Sequence, residues 1–270
     1  EYGSGFERSN LLRMVQFYDC FPDSDIVATL SRQLTWSHIK ILLPLKDKSA
    51  REFYALMSGQ NHWSVRQLGT QIHRMLFERT LVSRKEGKEL EAILQLPEGE
   101  QMLTPNLILR DPYCLEFLDL PNPYQESDLE EAILKEIEKF ILELGTGFSF
   151  VARQKRMTID EEHHRLDLLF FNRKLKRLVA LELKKTKFKA EYKGQMELYL
   201  GWLKQNEMMT GENPPIGIIL CTEKSPHQIE LLEMDQSGIH VAEYWTELPP
   251  IDVFERKIRE IVSLARERLE

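Results

Sequence analysis

The chain has 270 residues, a formal net charge of −7 at pH 7 and 42% hydrophobic residues. That length supports one large or two ordinary domains, and the composition is that of a globular protein rather than a disordered or fibrous one. No apolar run approaches the roughly 20 residues of a membrane-spanning helix, so we expect no membrane span. Cys20, Cys114 and Cys221 lie far apart without CxxC spacing, which argues against a zinc site or disulfide framework and predicts a cytoplasmic location.

Residues 1–85 are predicted to form a helical domain. Leu11, Met14, Val15 and Tyr18 recur at helical spacing and predict an apolar stripe in a first helix that stops before Pro22. Further helices are predicted over 26–34, 36–43, 50–57 and 65–80.

The predicted helices over 36–43 and 50–57 are short and closely connected, which is typical of helix-turn-helix units that bind DNA. Residues 37–84 hold eight Lys/Arg against three Asp/Glu, and this basic balance favours a nucleic-acid-binding or assembly module. A helical bundle that mediates dimerisation fits the same pattern, so both alternatives stay open.

Residues 86–125 are predicted to be a connector. A charged helix ends at Pro97–Gly99, and the stretch that follows mixes prolines with apolar residues. Such a composition is typical of an extended, partly packed linker.

Residues 126–270 alternate helix-like and strand-like patterns, which predicts an α/β fold with a mixed sheet flanked by helices. A first helix over 128–144 carries the apolar stripe Leu129, Ile133, Ile137, Phe140 and Leu144. Strands are predicted at 148–155, 166–171, 178–183, 216–221 and 239–245, a polar turn at 160–165, and later helices at 226–234 and 251–269.

Three charged residues interrupt the two most apolar of these strands. Asp167 opens the first apolar run, and Glu182 and Lys184 close the second. Removing an unpaired charge from water costs several kcal/mol, so we expect these charges to pair with each other or to bind a metal. Alternation places Glu182 and Lys184 on one face of their strand, and a hairpin would bring Asp167 beside them.

The spacing Glu-x-Lys is weak evidence by itself, because this chain contains it at residues 86/88, 182/184, 191/193 and 255/257. Only Glu182/Lys184 lies within an apolar run that follows another run headed by an acid. Two carboxylates and a lysine around a hard cation can cleave a phosphodiester.

Asp167, then fourteen intervening residues, then Glu182-Leu183-Lys184 resembles the PD-(D/E)xK nuclease core. The longer segments GTGFSFVARQKR (145–156), DLLFFNRKLKRLVALELK (167–184) and FKAEYKGQMELYL (188–200) resemble the YhcG-type bacterial nucleases. In that family a helical N-terminal domain precedes the nuclease domain. The sequence departs from the motif at Leu166, which stands where the motif has proline.

The resemblance implies a nuclease that uses Mg²⁺ or Mn²⁺ and acts on nucleic acid, most simply DNA. Asp167, Glu182 and the Leu183 carbonyl would bind the metal, and Lys184 would position or activate water. A glutamate from the first helix often joins such sites, which selects Glu130, with Glu136 as the second choice and a surface acid as the alternative.

Substrate contacts are expected around this centre. Arg153 and Gln154 are near the predicted site, while Lys185, Lys187 and Lys189 suit phosphate-backbone contacts. Gln195 and Tyr199 share a helix face and resemble an element that lines the substrate path in RecB-like nucleases; Gln195 is the predicted site neighbour, and Tyr199 fits a core position equally well. His163 and His164 are predicted to be exposed turn residues rather than metal ligands.

The charge distribution supports a polyanionic partner despite the negative total. Residues 151–193 hold thirteen Lys/Arg against six Asp/Glu, whereas residues 86–150 hold four against fifteen. Because salt screens charges beyond about 10 Å, the local surplus decides binding. The sequence leaves the oligomeric state open; PD-(D/E)xK enzymes that cut both strands often pair, so the resemblance admits a homodimer. The alternatives are a nuclease fold without turnover that binds or assembles, and an enzyme acting on a small substrate.

Overall fold

The computed structural model describes residues 7–21, 34–83, 109–145, 147–234 and 236–247. Residues 7–21 and 34–83 belong to one compact unit, and the other described residues belong to a second. The first unit is helical and the second combines a mixed sheet with helices, which confirms the predicted fold class. The helices predicted over 26–34 and 251–269 and the charged helix before Pro97 lie wholly or largely outside the described residues.

The helical unit contains α1 (Arg8–Cys20), α2 (Trp36–Leu42), α3 (Lys48–Gln60), α4 (Val65–His73) and α5 (Leu76–Ser83). Asp47 accepts a hydrogen bond from the Ser49 backbone N–H at the start of α3, and Ser64 accepts one from Gln67 at the start of α4. Such caps satisfy amide groups that have no partner within the helix. The single helix predicted over 65–80 is divided in two, because Met75 has a left-handed backbone with φ 51°.

The face of helix α1 that packs against other residues is not the apolar stripe predicted from the sequence. Val15 is 60% exposed and Tyr18 is 73% exposed. The ring of Phe17 instead packs 5.9 Å from that of Trp36 and 5.3 Å from that of Phe21. Burying these larger rings removes more apolar surface from water, and this orientation leaves the predicted stripe outside.

The second unit is built on one mixed sheet. Among the described residues its strands are β1 (Tyr113–Cys114), β2 (Phe148–Ile159), β3 (Glu162–Asn172), β4 (Arg177–Leu183), β5 (Ile216–Cys221) and β6 (Ile239–Trp245), in the order β1-β6-β5-β4-β3-β2. The pairs β2–β3 and β3–β4 are antiparallel, and β4, β5, β6 and β1 are parallel. The almost unbroken apolar sequences of β4 and β5 suit strands that are covered on both faces.

Two layers of helices cover this sheet. Helices α6 (Glu126–Lys135) and α7 (Ile137–Leu144) pack on one face, whereas α8 (Glu191–Asn206) packs on the other, and α9 (Pro226–Leu231) follows β5. The predicted stripe on 128–144 is confirmed as core, although Glu136, with φ −111°, separates α6 from α7. We call the two apolar layers the α6–α7 core and the α8 core.

The β2–β3 hairpin is longer than predicted. Only Asp160 and Glu161 form its turn, and both have positive φ, as the type I′ two-residue hairpin turn requires. The polar turn predicted at 160–165 was therefore wrong, because residues 162–165 continue strand β3. Residues 162–165 are polar because this end of the β2–β3 hairpin, which we call the arm, has one face in water, and not because they form a loop.

Residues 109–125, which the sequence assigns to the connector, belong to the sheet-bearing unit. Strand β1 extends the sheet beside β6, and the Leu115 amide donates to the Trp245 carbonyl at 2.7 Å. The fully buried Glu143 accepts a hydrogen bond from the Cys114 amide at 2.9 Å and lies 3.4 Å from Arg110. A two-residue strand is too short to show alternation, so the sequence pattern gave no sign of it.

Within the described part of the chain, no helix is long and apolar enough to cross a membrane.

Gly217 on β5 sets the approach of α8 to the sheet. A Cβ at this position would lie 2.5 Å from Met196 Cγ and 2.6 Å from its sulfur. We expect Gly217→Ala to lower the free energy of unfolding by about 1–3 kcal/mol, because the added methyl overpacks the contact. Chemical denaturation monitored by circular dichroism measures the loss.

Gly201→Ala on α8 is the matched control. No heavy atom lies within 4 Å of its added Cβ, so the better helix propensity of alanine should stabilise by about 0.5–1 kcal/mol. In a double-mutant cycle, Met196→Ala should cost less in the Gly217→Ala background than alone. Additive effects would show that the two positions do not compete for space.

Candidate active site

The candidate site lies where β3 and β4 separate. Their ladder ends at the pair Leu168 and Leu181, so Asp167 and Glu182 are the next residues along the two strands. The Asp167 amide donates to Glu182 Oε1 at 3.4 Å, and the Leu183 amide donates to Asp167 Oδ2 at 2.8 Å. The hairpin thus brings together the two acids that the sequence predicted to meet.

Lys184 completes this cluster. Its Nζ lies 3.0 Å from Glu182 Oε2 and 5.2 Å from the centre of the Tyr192 ring. Partial burial of Lys184 lowers the pKa of its ammonium, but the nearby Glu182 and Asp167 carboxylates outweigh burial and raise it. Lys184 is therefore a fixed cation at neutral pH.

Gln154 links Asp167 on β3 to Glu130 on α6. Its Nε2 donates to Glu130 Oε2 at 2.6 Å and is 3.3 Å from Asp167 Oδ1. Gln154 has a left-handed backbone with φ 45°, which costs a non-glycine residue roughly 1 kcal/mol or more. Strain of this kind persists where surrounding contacts fix the geometry, and here it positions the amide between two carboxylates.

The strand opposite Gln154 is also irregular. Leu166 packs in the α8 core and Leu168 in the α6–α7 core, although residues two apart on a regular strand share a face. This irregularity falls at Asp167 and allows its carboxylate to reach both the Gln154 amide and the Leu183 amide.

Burial opposes ionisation of both acids, and the charge of Asp167 adds to this effect at Glu182. Burial, reinforced by the charge of Asp167, raises the pKa of Glu182 from 4.5 to about 7. Burial also raises the pKa of Asp167, against the opposing effect of the Leu183 amide. Two carboxylates that resist ionisation side by side form a site that a cation would stabilise.

The donor set suits a hard divalent cation. Asp167, Glu182 and the Leu183 carbonyl offer oxygen atoms, which Mg²⁺ and Mn²⁺ prefer, and such ions keep several water ligands. Glu130 Oε1 is buried without a hydrogen-bond partner, with Arg153 Nε 3.4 Å away. Over the residues that the structure describes, no three His, Cys, Asp or Glu side chains form a compact metal-binding cluster, so the fit rests on two carboxylates and a carbonyl.

The predicted substrate contacts divide into two groups. Arg153 and Gln154 adjoin the site through Glu130, and Gln195 Nε2 donates to the Tyr199 hydroxyl at 2.7 Å. Tyr199 is buried in the α8 core, and its pKa is raised by burial and by the charges of Glu182 and Asp167. It is thus both a core residue and a neighbour of the acids.

Lys185 and Lys187, two further predicted phosphate contacts, have their own partners elsewhere on the protein surface. Lys185 Nζ donates to Gln125 Oε1 at 2.8 Å, and Lys187 Nζ lies 2.6 Å from Glu223 Oε2. Both lysines therefore already have partners on the protein surface, which weakens the case for them as phosphate contacts.

Two neighbours of the site were missed by sequence reasoning. Tyr192 lies under the Lys184 ammonium, and the Glu126 charge contributes to the raised pKa of that lysine. Tyr192 lies three residues before Gln195 and seven before Tyr199 on α8, so the helical spacing that joins those two residues is the signal that could have placed Tyr192 on the same face. His163 and His164 lie on β3 rather than in a turn, and the His164 ring packs 6.0 Å from Tyr199.

This combination of a mixed sheet, two strand carboxylates and a following lysine defines a nuclease core of the PD-(D/E)xK class. A family model described as the YhcG PDDEXK nuclease domain matches residues 106–259, and one described as the DUF1016 N-terminal domain matches residues 1–79. The chain belongs to the YhcG family of PDDEXK nucleases.

One relative extends the match across both units. The chain is 38% identical over 252 residues to the protein named "Putative nuclease YhcG" of Escherichia coli (strain K12), with 83% of this chain and 66% of that protein covered. The chain thus spans about two thirds of the length of this relative.

Solved structures give weaker likenesses. A repair endonuclease from Pyrococcus abyssi is 24% identical, with a TM-score of 0.33 over 47% of this chain and 49% of that one. A complex of EndoMS with double-stranded DNA is 20% identical, with a TM-score of 0.32 over 44% of this chain and 45% of that one.

The raised pKa of Glu182 predicts how stability depends on pH. A carboxyl group with a folded pKa of about 7 and an unfolded value near 4.5 stabilises the fold when protonated. That contribution is full below pH 4.5 and is lost as the pH rises through 7. Between pH 5 and pH 8, the metal-free protein should lose about 2 kcal/mol of unfolding free energy.

Glu182→Gln should remove most of this loss, as measured by urea denaturation in EDTA at both pH values. Glu131→Gln is the control, because Glu131 is an exposed carboxylate on α6. An equal pH dependence in the wild type and in Glu182→Gln would contradict the assignment.

Proposed function

We propose that this protein is a divalent-metal-dependent nuclease that hydrolyses phosphodiester bonds in DNA. The convergence of Asp167, Glu182 and Lys184 at the ends of β3 and β4 carries the proposal. Family membership supports the reaction class, and the oxygen-rich, partly buried donor set supports the metal. Mg²⁺ is the expected ion and Mn²⁺ the expected substitute.

Asp167, Glu182 and the Leu183 carbonyl would hold the metal, with Glu130 joined to them through Gln154. Such a metal, when bound, lowers the pKa of a bound water and neutralises charge on the scissile phosphate. Glu130 is held near Asp167 by the shared Gln154 amide, so its carboxylate can act on the same ion or on a water molecule. Glu136, the second choice, ends α6 and forms an exposed ion pair with Lys139, which favours Glu130.

Lys184 would act through its charge. Its raised pKa keeps it protonated at neutral pH, so it suits stabilisation of developing negative charge and orientation of water better than proton abstraction. The Tyr192 ring beneath the ammonium holds it in place by a cation–π contact.

DNA is the proposed substrate, with the basic segment 151–193 as its contact surface. Arg153, Gln154 and Gln195 are the contacts nearest the acids, whereas Lys185 and Lys187 would contact phosphate only by leaving their present partners. The helical unit is proposed as a nucleic-acid-binding or assembly module. A homodimer would provide two sites for cutting both strands.

Asp167→Asn should reduce DNA cleavage in Mg²⁺ by about 10²–10³-fold or more, because it removes a metal-binding charge. Gel analysis of plasmid and linear DNA with Mg²⁺, Mn²⁺ or EDTA measures the rate. The control is Asp160→Asn at the hairpin turn, where asparagine tolerates the left-handed backbone. Cleavage by Asp167→Asn at the wild-type rate would show that the activity does not depend on Asp167 and would refute the assignment.

Lys184→Ala should reduce the rate to a similar extent while leaving DNA affinity in EDTA within a few-fold, because its proposed role is in the transition state. Lys204→Ala, on the exposed side of α8, is the charge-matched control.

DNA binding by a wild type that cleaves neither DNA nor RNA with either metal would instead support the alternative of a nuclease fold that binds without turnover.

A further inference from the structure

Two arginines lie directly opposite each other on the β2–β3 hairpin. Arg156 and Arg165 are register partners, and both side chains are exposed. Residues in this relation share a face, with Cβ atoms about 5 Å apart, and like charges there destabilise the strand pair. Such a pair weakens the fold unless an anion lies between the two groups.

Within the described residues, neither guanidinium forms an ion pair or hydrogen bond, in contrast to the other cations of the hairpin. Lys155 Nζ lies 2.6 Å from Glu207, and Arg153 Nε lies 3.4 Å from Glu130. The charges next along the arm are thus locally compensated, whereas this pair is not.

The pair is close to the candidate active site. Arg165 precedes Asp167 by two residues on β3, and Arg156 follows Gln154 by two residues on β2, a separation of about 7 Å along each strand. Met157 and Leu166, their neighbours in sequence, are buried in the α8 core. The arginines therefore project from the opposite face of the hairpin, the face on which α6 contributes Glu130.

The arm that carries the pair is held firmly. Trp202 Nε1 on α8 donates to the Thr158 carbonyl at 3.2 Å, and the Lys155–Glu207 ion pair ties the arm to the end of the same helix. The two guanidinium groups are thus presented on a supported hairpin rather than on a free loop, which lowers the entropy lost on binding.

We propose that Arg156 and Arg165 form a phosphate clamp that grips the nucleic-acid backbone beside the scissile position. Guanidinium groups bind phosphate oxygens in bidentate geometry, and a phosphate between the two would relieve their repulsion. The clamp rests on the proposed function, since it places a backbone phosphate near the acids. Its role is to position the strand, and it takes no part in bond cleavage.

The test measures binding of a short fluorescein-labelled DNA duplex by anisotropy, in EDTA so that no cleavage occurs, over a series of NaCl concentrations. The double variant Arg156→Ala/Arg165→Ala should bind about tenfold more weakly or worse at physiological salt. Its slope of log K against log salt should be shallower by about 1.8, because two phosphate contacts are lost. Arg156→Lys/Arg165→Lys should keep most of the slope.

The charge-matched control is Arg173→Ala/Lys176→Ala in the β3–β4 turn, at the far end of β3 and exposed. It should leave the slope within about half a unit of wild type. Equal losses in both double variants would overturn the clamp, because the effect would then follow total charge.

The single substitution Arg156→Glu tests the clamp independently. An opposite-charge pair with Arg165 should raise Tm by about 1–2 °C while DNA affinity falls. Unchanged affinity and slope in the Arg156/Arg165 variants, with a wild type that binds and cleaves, would overturn the clamp and leave the proposed nuclease standing. A wild type that neither binds nor cleaves any nucleic acid would overturn both.

Discussion

Two carboxylates placed side by side inside a sheet are the constraint on which the rest of this unit depends. Asp167 and Glu182 meet because β3 and β4 are antiparallel neighbours, and each accepts a backbone amide from the opposite strand. Burial raises both pKa values, and the charge of Asp167 adds to the rise at Glu182. The adjoining Lys184 ammonium offsets only part of this cost, so a divalent cation bound by the two carboxylates would stabilise their ionised forms.

The surrounding fold keeps these groups at the edge of the packed interior. The sheet has an apolar core on each face, and the site forms where the ladder between β3 and β4 ends. Helix α6 supplies Glu130 from one side and α8 supplies Tyr192 and Tyr199 from the other. The irregular backbone at Gln154 and Asp167 lies between the two cores and joins these contributions.

The sequence predicted secondary structure well where burial imposes a periodic or continuous pattern of apolar residues. Strands β5 and β6 were predicted with their observed limits, because continuous or alternating apolar residues leave little choice. The convergence of Asp167, Glu182 and Lys184 followed from the cost of burying charge. The fold class and the family were confirmed, whereas the roles of the site residues remain predictions.

Other features leave no periodic signature. The left-handed backbones at Met75 and Gln154 depend on tertiary contacts, and either residue type is ordinary in a helix or strand. The arm 162–165 reads as a turn because its exposed residues are polar. The packing face of α1 was decided by competition between two apolar sides of one helix, and that competition depends on neighbours distant in sequence. The partners of Lys185 and Lys187 are equally invisible to a linear pattern.

Gly217 illustrates how a residue without chemistry of its own can matter to the site. Strand β5 contributes no catalytic side chain, yet the missing Cβ at Gly217 lets the Met196 thioether rest against the backbone. Because Tyr192 and Tyr199 extend from the same helix as Met196, the thickness of this layer fixes how far their rings stand from Lys184 and Glu182. The missing Cβ at Gly217 on β5 thus sets the distance between α8 and the sheet, and with it the position of one wall of the site.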